Sequence, residues 1–308
     1  MSQPNIALLG LGLIGSSLGH AFKKYGLAAH VSGYARSEKT RARAAALGFV
    51  DSVHDTPEAA CAEADIVFFN TPLSAIKALA EKIVPTLKDG AIITDVGSVK
   101  AGVIGDIKPL LQDRVHLVPG HPIAGTEQSG PDAGFAELFE GRWCILTPEG
   151  DANLYAVETI ANLWRQMGSE VEFMDAGHHD LVLAITSHLP HLIAYNIVGT
   201  AAQLENDTRS AVIKYSASGF RDFTRIAASD PIMWRDIFLQ NKEAVLEMLG
   251  RFSEDLTALQ RAIRHGDGDY LENTFTTTRS IRRSIIEAGQ DVDLPNFGRD
   301  QRDASETD

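Results

Sequence analysis

Several short stretches of this chain concentrate side chains able to do chemistry. Gly120-His121-Pro122-Ile123-Ala124-Gly125-Thr126-Glu127-Gln128-Ser129-Gly130 packs a histidine, an acid, two hydroxyls and three glycines into one loop. Loops of this kind are where binding and catalytic groups gather. An imidazole titrates near ~6.5, so His121 can take a proton around neutral pH; the plainer alternative is a histidine that caps a turn. Thr94-Asp95-Val96-Gly97-Ser98-Val99-Lys100 supplies an acid, a hydroxyl and an ammonium for polar contacts to a ligand, with Asp95 alternatively a helix cap. Ser187-His188-Leu189-Pro190-His191 places two imidazoles three residues apart, on one face of a helix. Those two with His121 could in principle hold a metal, but no H-E-x-x-H pattern or thiolate pair accompanies them, and no metal is expected. Gly219–Arg225 and Asp230–Arg235 carry Arg221, Arg225 and Trp234; the arginines suit carboxylate binding or simply a solvated helix face. His178-His179-Asp180 reads as polar residues at a helix start, with Asp180 near the helix dipole.

Gly10-Leu11-Gly12-Leu13-Ile14-Gly15 is a G-x-G-x-x-G run between an expected strand and an expected helix, the context in which it binds a dinucleotide. Gly10 permits the tight turn, Gly12 the approach of a pyrophosphate, and Gly15 close packing of helix on strand. Leu13 and Ile14 open the helix whose N-terminus faces the phosphates. An acid about 20 residues on ordinarily binds the adenosine ribose. Here Gly33-Tyr34-Ala35-Arg36-Ser37 puts Ala35 where that acid is expected. Arg36 and Ser37 can instead hold a 2′-phosphate, which tilts the expectation from NAD towards NADP. The alternative is that Arg36 stacks on adenine and either cofactor is accepted. Thr71-Pro72 ends a third strand and, with Asp95, completes the expected cofactor-binding set.

The elements that must position these groups follow from apolar periodicity. Strands are expected at Asn5–Leu9, His30–Tyr34, Asp65–Phe69 and Ala91–Thr94, alternating with helices at Leu13–Tyr25, Thr40–Leu47 and Leu73–Leu87. This alternation predicts an α/β fold, an N-terminal Rossmann-like, doubly wound parallel sheet covered by helices. Ile66-Val67-Phe68-Phe69 is apolar on both faces, as such a sheet requires. Beyond about Asp175 strand-like runs give way to helical patterns near His179–Ala202, Asp230–Arg264 and Asp269–Ala288. The expected organisation is a dinucleotide-binding domain over 1–174, an all-helical substrate and dimerisation domain over 175–290, and an acidic, extended tail over 291–308.

Composition narrows the partners. The chain has 308 residues, 44% hydrophobic and 22% charged, enough for two ordinary domains. With 41 acidic against 28 basic residues the net charge is −13, which argues against nucleic acid. Cys61 and Cys144 form no motif and read as reduced packing residues of a cytoplasmic protein. The N-terminus lacks a signal-peptide pattern, and no run approaching the ~18–20 apolar residues of a membrane span is evident. Much apolar surface on Ile193–Ala202 and Ala244–Phe252, for so small a helical domain, points to a homodimer, or else to burial within one subunit.

Taken together these motifs resemble the prephenate/arogenate (cyclohexadienyl) dehydrogenases. The matching pieces are G-L-G-L-I-G-S-S-L (10–18), T-D-V-G-S-V-K (94–100), G-H-P-I-A-G-T-E-Q-S-G (120–130), S-H-L-P-H (187–191) and F-R-D-F-T-R-I-A-x-S-D-P-x-M-W-R-D-I (220–237). The resemblance runs from residue 5 to about 285. It implies oxidative decarboxylation of prephenate, arogenate or both, with hydride transfer to NAD(P)+, in tyrosine biosynthesis. It further implies that His121 bonds the substrate's ring hydroxyl and that Ser98 supports that hydroxyl or the nicotinamide end. Arg225 would bind a substrate carboxylate and His191 would help hold the substrate. Thr126, Glu127, Asp222 and Trp234 would shape the pocket. The length leaves no room for the regulatory or fused domains some members carry, so control by an appended domain is not expected. Competing expectations are another two-domain reductase, of the 3-hydroxyacid or pyrroline-carboxylate type, and a non-catalytic nucleotide sensor.

Overall fold

The computed structural model describes residues 3–111, 114–126, 128–203 and 218–287. The expected acidic tail over 291–308 lies outside the described residues. Two compact units are distinguished, Met1–Met248 and Leu249–Asp308.

The first unit is built on six parallel strands: β1 (Asn5–Leu9), β2 (His30–Tyr34), β3 (Ser52–His54), β4 (Ile66–Phe69), β5 (Ile92–Asp95) and β6 (His116–Val118). Their order is β3-β2-β1-β4-β5-β6, so the direction of winding reverses between β1 and β4. Ligands bind such sheets at the carboxyl ends of the strands beside that reversal. The strands alternate between two cores. Ile6, Leu8, Ile66 and Phe68 join Phe22 and Trp164 on one face. Ala7, Leu9, Val67 and Phe69 join Ile93 and Trp234 on the other. Neither face is left to water, which is why these strands read as continuous apolar runs.

Helices α1 (Leu13–Tyr25), α2 (Glu38–Leu47), α3 (Pro57–Cys61), α4 (Leu73–Ile83) and α5 (Ala101–Ile107) connect the strands. A second, mixed sheet follows, of β7 (Gly120–Pro122), β8 (Trp143–Leu146) and β9 (Glu170–Phe173), with α6 (Leu154–Gln166) between the last two. β7 runs antiparallel to β8, and β9 parallel to it. None of these three strands was among those expected from the sequence.

The helical pattern expected over His179–Ala202 is realised with an interruption. α7 (Ala176–Leu183), capped by the Asp175 carboxylate on His178 N at 3.0 Å, passes into a π turn (Ala184–His188) and then α8 (Leu189–Ala202). Pro190 lacks the N–H an α-helix would use here, and a widened turn accommodates its ring. Contrary to the sequence expectation, Ala176–Ala202 contains a window long and apolar enough to cross a membrane by length and composition, with mean hydropathy 1.5. Its His, Ser and Asn residues interrupt any pure apolar run, and the Leu, Ile and Val residues around them keep the mean high. Asp180 nevertheless ties α7 to the sheet domain, accepting Ala101 N at 2.9 Å.

The helix expected over Asp230–Arg264 is two, Pro231–Gln240 and Lys242–His265, broken at Asn241. The Asn241 amide donates to Asp180 O at 2.8 Å and sits 3.0 Å from His188 Nδ1, so the break serves a tertiary bond. The second unit comprises the end of Lys242–His265 and the helix Gly268–Glu287, joined where Gly266 adopts φ 67°.

Candidate functional site

The glycine turn has the backbone its spacing foretells. Gly10 has φ 102°, and a Cβ there would lie 2.4 Å from Asn70 O; one on Gly15 would lie 2.0 Å from Gly10 O. A Cβ on Gly12 would meet nothing within 4 Å, so the space before this residue is open. Gly12 is the N-cap of α1 and offers no side-chain cap, leaving the helix's first N–H groups for an anion. Leu13 and Ile14 are half-buried against the core. Across the turn, Asn70 Oδ1 and Thr71 Oγ1 are buried without a hydrogen-bond partner among the described residues, and Pro72 caps α4. Open space, unclaimed amides and orphaned acceptors together fit a dinucleotide.

At the end of β2, Ala35 is buried and Arg36 exposed. The Arg41 guanidinium donates to Ala35 O at 2.7 Å and Arg36 O at 3.1 Å. Ser37 is the N-cap of α2, accepting from Thr40 N at 3.4 Å. Two guanidinium-bearing residues and a helix N-terminus thus surround the position where a ribose-binding acid was expected.

The catalytic candidate His121 lies on β7, and β5 sets its position. Asp95, fully buried, accepts Gly97 N at 2.8 Å and Gly120 N at 3.2 Å and pairs with the buried Lys100 ammonium. Lys100 Nζ also donates to Gly120 O at 2.6 Å. Asp95 and Lys100 therefore clamp both backbone groups of the residue before His121. With its carboxylate engaged by these protein donors, Asp95 anchors the segment that carries His121.

His121 is itself buried, and its Nδ1 lies 2.9 Å from His179 Nε2. His179 Nδ1 lies 2.8 Å from Asp180 Oδ1. That carboxylate also accepts Lys100 N at 2.7 Å and Ala101 N at 2.9 Å, capping α5 from another helix. Burial, reinforced by His179, Lys100 and His188, holds the His121 imidazole well below its ordinary 6.5. It is a neutral proton acceptor throughout the neutral range. Ser98, half-buried beside this segment, has no side-chain hydrogen bond among the described residues.

The Ser187–His191 segment reaches the same cluster. His188, fully buried, has Nδ1 on Asn241 and Nε2 without a partner among the described residues. Desolvation lowers it to about 4. His191 donates from Nδ1 to Ser187 O at 2.9 Å and stacks on Trp234, ring centroids 3.6 Å apart. Trp234 is buried and meets His188 edge-on at 6.0 Å. Contacts thus run from His121 through His179, Asp180, Asn241 and His188 to Trp234 and His191. His121 points to His179 and joins no metal site: among the described residues no group of three His, Cys, Asp or Glu has metal-holding geometry.

The remaining candidates lie nearer the surface. Arg225 is exposed and opens a short 3-10 turn, Arg225–Ala228. The adjoining Ser229 O accepts the Tyr195 hydroxyl at 2.8 Å, fastening the turn to α8. Asp222 pairs with Arg221 at 3.2 Å. Thr126 is exposed, its hydroxyl accepting Gln128 N at 3.2 Å. Glu127 lies outside the described residues. Sequence inspection took His179 and Asp180 only for polar residues at a helix start, and passed over Asn241 and Asn70. Only the His178-His179-Asp180 run, set just before an apolar stretch, carried a usable signal.

A parallel sheet wound 3-2-1-4-5-6, with a glycine turn at its reversal and a buried histidine pinned beyond a neighbouring strand end, defines a Rossmann-type dinucleotide-binding protein with a helical C-terminal part. Two family models match, "Prephenate dehydrogenase, nucleotide-binding domain" over residues 18–173 and "Prephenate dehydrogenase, dimerization domain" over 175–277. The chain is 45% identical to a cyclohexadienyl dehydrogenase of Zymomonas mobilis, covering 91% of this chain and 96% of that one. It is 34% identical to a prephenate dehydrogenase of Bacillus subtilis, over 92% of this chain and 76% of the other. A crystal structure of Aquifex aeolicus prephenate dehydrogenase, in complex with hydroxyphenyl propionate and NAD+, superposes with a TM-score of 0.85 at 34% identity, covering 93% and 99% of the two chains. The chain belongs to the prephenate dehydrogenase family.

Proposed function

We propose that this protein oxidatively decarboxylates prephenate, arogenate or both, passing a hydride to NAD+ or NADP+ in the making of tyrosine. The observation that carries the reading is His121: a buried, neutral imidazole with Nδ1 engaged, held by Gly120 at the carboxyl edge of the sheet that bears the dinucleotide turn. When bound, the nicotinamide supplies the acceptor for the hydride. His121 Nε2 takes the ring hydroxyl proton as the C–H pair departs. The bond to the ring carboxylate breaks and its electrons complete the aromatic ring. His121 then returns its proton to the phenolate oxygen, so no net proton is released. Aromatisation drives the reaction, and the protein's task is positioning and charge placement. In this scheme Ser98 supports the hydroxyl. Arg225 and His191 hold the substrate's charged end, while Thr126, Glu127, Asp222 and Trp234 shape its surroundings.

The dinucleotide would lie over Gly10, Gly12, Leu13, Ile14 and Gly15, with Thr71 and Pro72 beside it. With Ala35 in place of an acid, and Arg36, Ser37 and Arg41 about the ribose end, NADP+ would be accepted alongside NAD+. A homodimer is supported by the dimerization-domain match and by exposed Ile185, Ile197 and Val198 along Ala176–Ala202. Two buried free thiols, Cys61 and Cys144, suit a cytoplasmic setting. Reduced nicotinamide formation with each substrate and each cofactor, in a two-by-two grid, tests the proposal. Dinucleotide binding without turnover on either substrate would defeat it and favour a nucleotide sensor; turnover on 3-hydroxyacids instead would favour the other reductase type.

A further inference from the structure

We infer that His179 and Asp180 are positioning residues that lock His121 in the tautomer with its Nε2 lone pair turned to the substrate, and that share the positive charge while His121 holds the hydroxyl proton. The charge-sharing half of this inference rests on the function proposed above; the tautomer does not.

The assignment follows from counting donors along the chain of contacts. Both Asp180 oxygens accept backbone N–H groups at the start of α5, Lys100 N on Oδ1 and Ala101 N on Oδ2. Asp180 is therefore an acceptor, and the bond at 2.8 Å requires the proton on His179 Nδ1. A neutral His179 then has a lone pair on Nε2, and the 2.9 Å contact requires the proton on His121 Nδ1. What is left on His121 is an unprotonated Nε2. Asp180 thus receives three N–H groups, two from the backbone and one from His179. A second pair of bonds holds the relay still: Asn241 Nδ2 fastens Asp180 O and His188 Nδ1.

Other charged and titratable groups face His121 and bear on its protonation. Lys100, Asp95 and Cys144 approach from the sheet side, and His188 from the π turn. The Lys100 ammonium and Asp95 carboxylate pair with each other, leaving Asp180 as the anion that answers a cation on the two imidazoles. When the ring O–H bond breaks, its proton forms the new N–H bond at His121 Nε2. Positive charge then spreads along His121–His179 towards Asp180, and the same N–H breaks as the phenolate is reprotonated.

The test uses the full-length protein labelled with 15N-histidine, His121→Asn providing the assignment. In the wild type without ligands, NMR at neutral pH should show His121 protonated at Nδ1 and bare at Nε2. A proton on His121 Nε2, or a doubly protonated His179, would overturn the assignment whether or not the enzyme turns over. Kinetics supply the second arm. A glutamine can still accept from His121 Nδ1, whereas a leucine cannot, so His179→Gln should retain more of kcat than His179→Leu, which should lose about 10²-fold or more. KM and dinucleotide affinity should stay within about threefold in both. Asp180→Asn should move the acid limb of the kcat/KM profile to lower pH, since it removes the anion that answers the cation. Equal kcat in all three variants and the wild type, with one unshifted pH profile, would overturn the relay. A wild type inactive on both substrates but showing the expected tautomer would instead refute the proposed function alone.

Discussion

Lys100 and Asp95 form an ion pair with neither side chain exposed, and both complete their bonding on the backbone of one residue, Gly120. Breaking a buried pair by removing one partner leaves an uncompensated charge. Lys100→Met should therefore cost roughly 3–5 kcal/mol in denaturant unfolding. Combining it with Asp95→Asn should restore part of that loss. A single variant within about 1 kcal/mol of wild type would show that the pair does not anchor the loop.

The protonation of His121 sets the acid limb of activity. Only the neutral ring accepts a proton, and burial with its cationic neighbours disfavours the charged form. A depressed value means the ring protonates only at lower pH, so the loss of kcat/KM on acidification should fall well below 6.5. This revises the sequence-based expectation that the His121 imidazole titrates near the ordinary ~6.5. His121→Asn should lower kcat by roughly 10²–10⁴, the usual worth of a general base. A loss smaller than about tenfold would remove it from the mechanism.

Cofactor choice should turn on the end of β2. Ala35→Asp would place a carboxylate there and should reduce kcat/KM for NADP+ at least ~10-fold relative to NAD+, a difference of about 1.4 kcal/mol. Arg36→Ala should weaken NADP+ and spare NAD+. If the ratio of the two cofactors is unchanged in both variants, the 2′-phosphate is held elsewhere or not at all.

Arg225 is expected to act on substrate alone. A hydrogen bond to a charged group is worth roughly 1.5–3 kcal/mol, so Arg225→Ala should raise KM about 10- to 100-fold. Dinucleotide affinity, read by nicotinamide fluorescence, should not move. A KM equal to that of the wild type would exclude a carboxylate contact.

How legible these features were depends on their range. Gly10, Gly12 and Gly15 lie within one turn, and their demands on φ and on close approach are local, so spacing alone exposed them. Ile66–Phe69 announced a strand buried on both faces because every side chain is apolar. Asn241 gave no local warning. Its break is made by bonds to Asp180 and His188, 61 and 53 residues away. The Asp95–Lys100 pair was hidden for a related reason: in sequence, a carboxylate at a strand end looks the same whether it meets a ligand or a buried ammonium.

From the amino-acid order alone came the parallel sheet, the dinucleotide turn, the helical C-terminal part, the family resemblance and His121 as the residue to watch. These rest on periodicity and short motifs, which act between near neighbours in the chain. Packing decided what His121 is attached to. Its imidazole meets a histidine 58 residues on, whose partner caps a helix begun at Ala101. A tautomer is fixed by which donors and acceptors face each ring nitrogen, and that is a property of three-dimensional neighbours which no local pattern encodes.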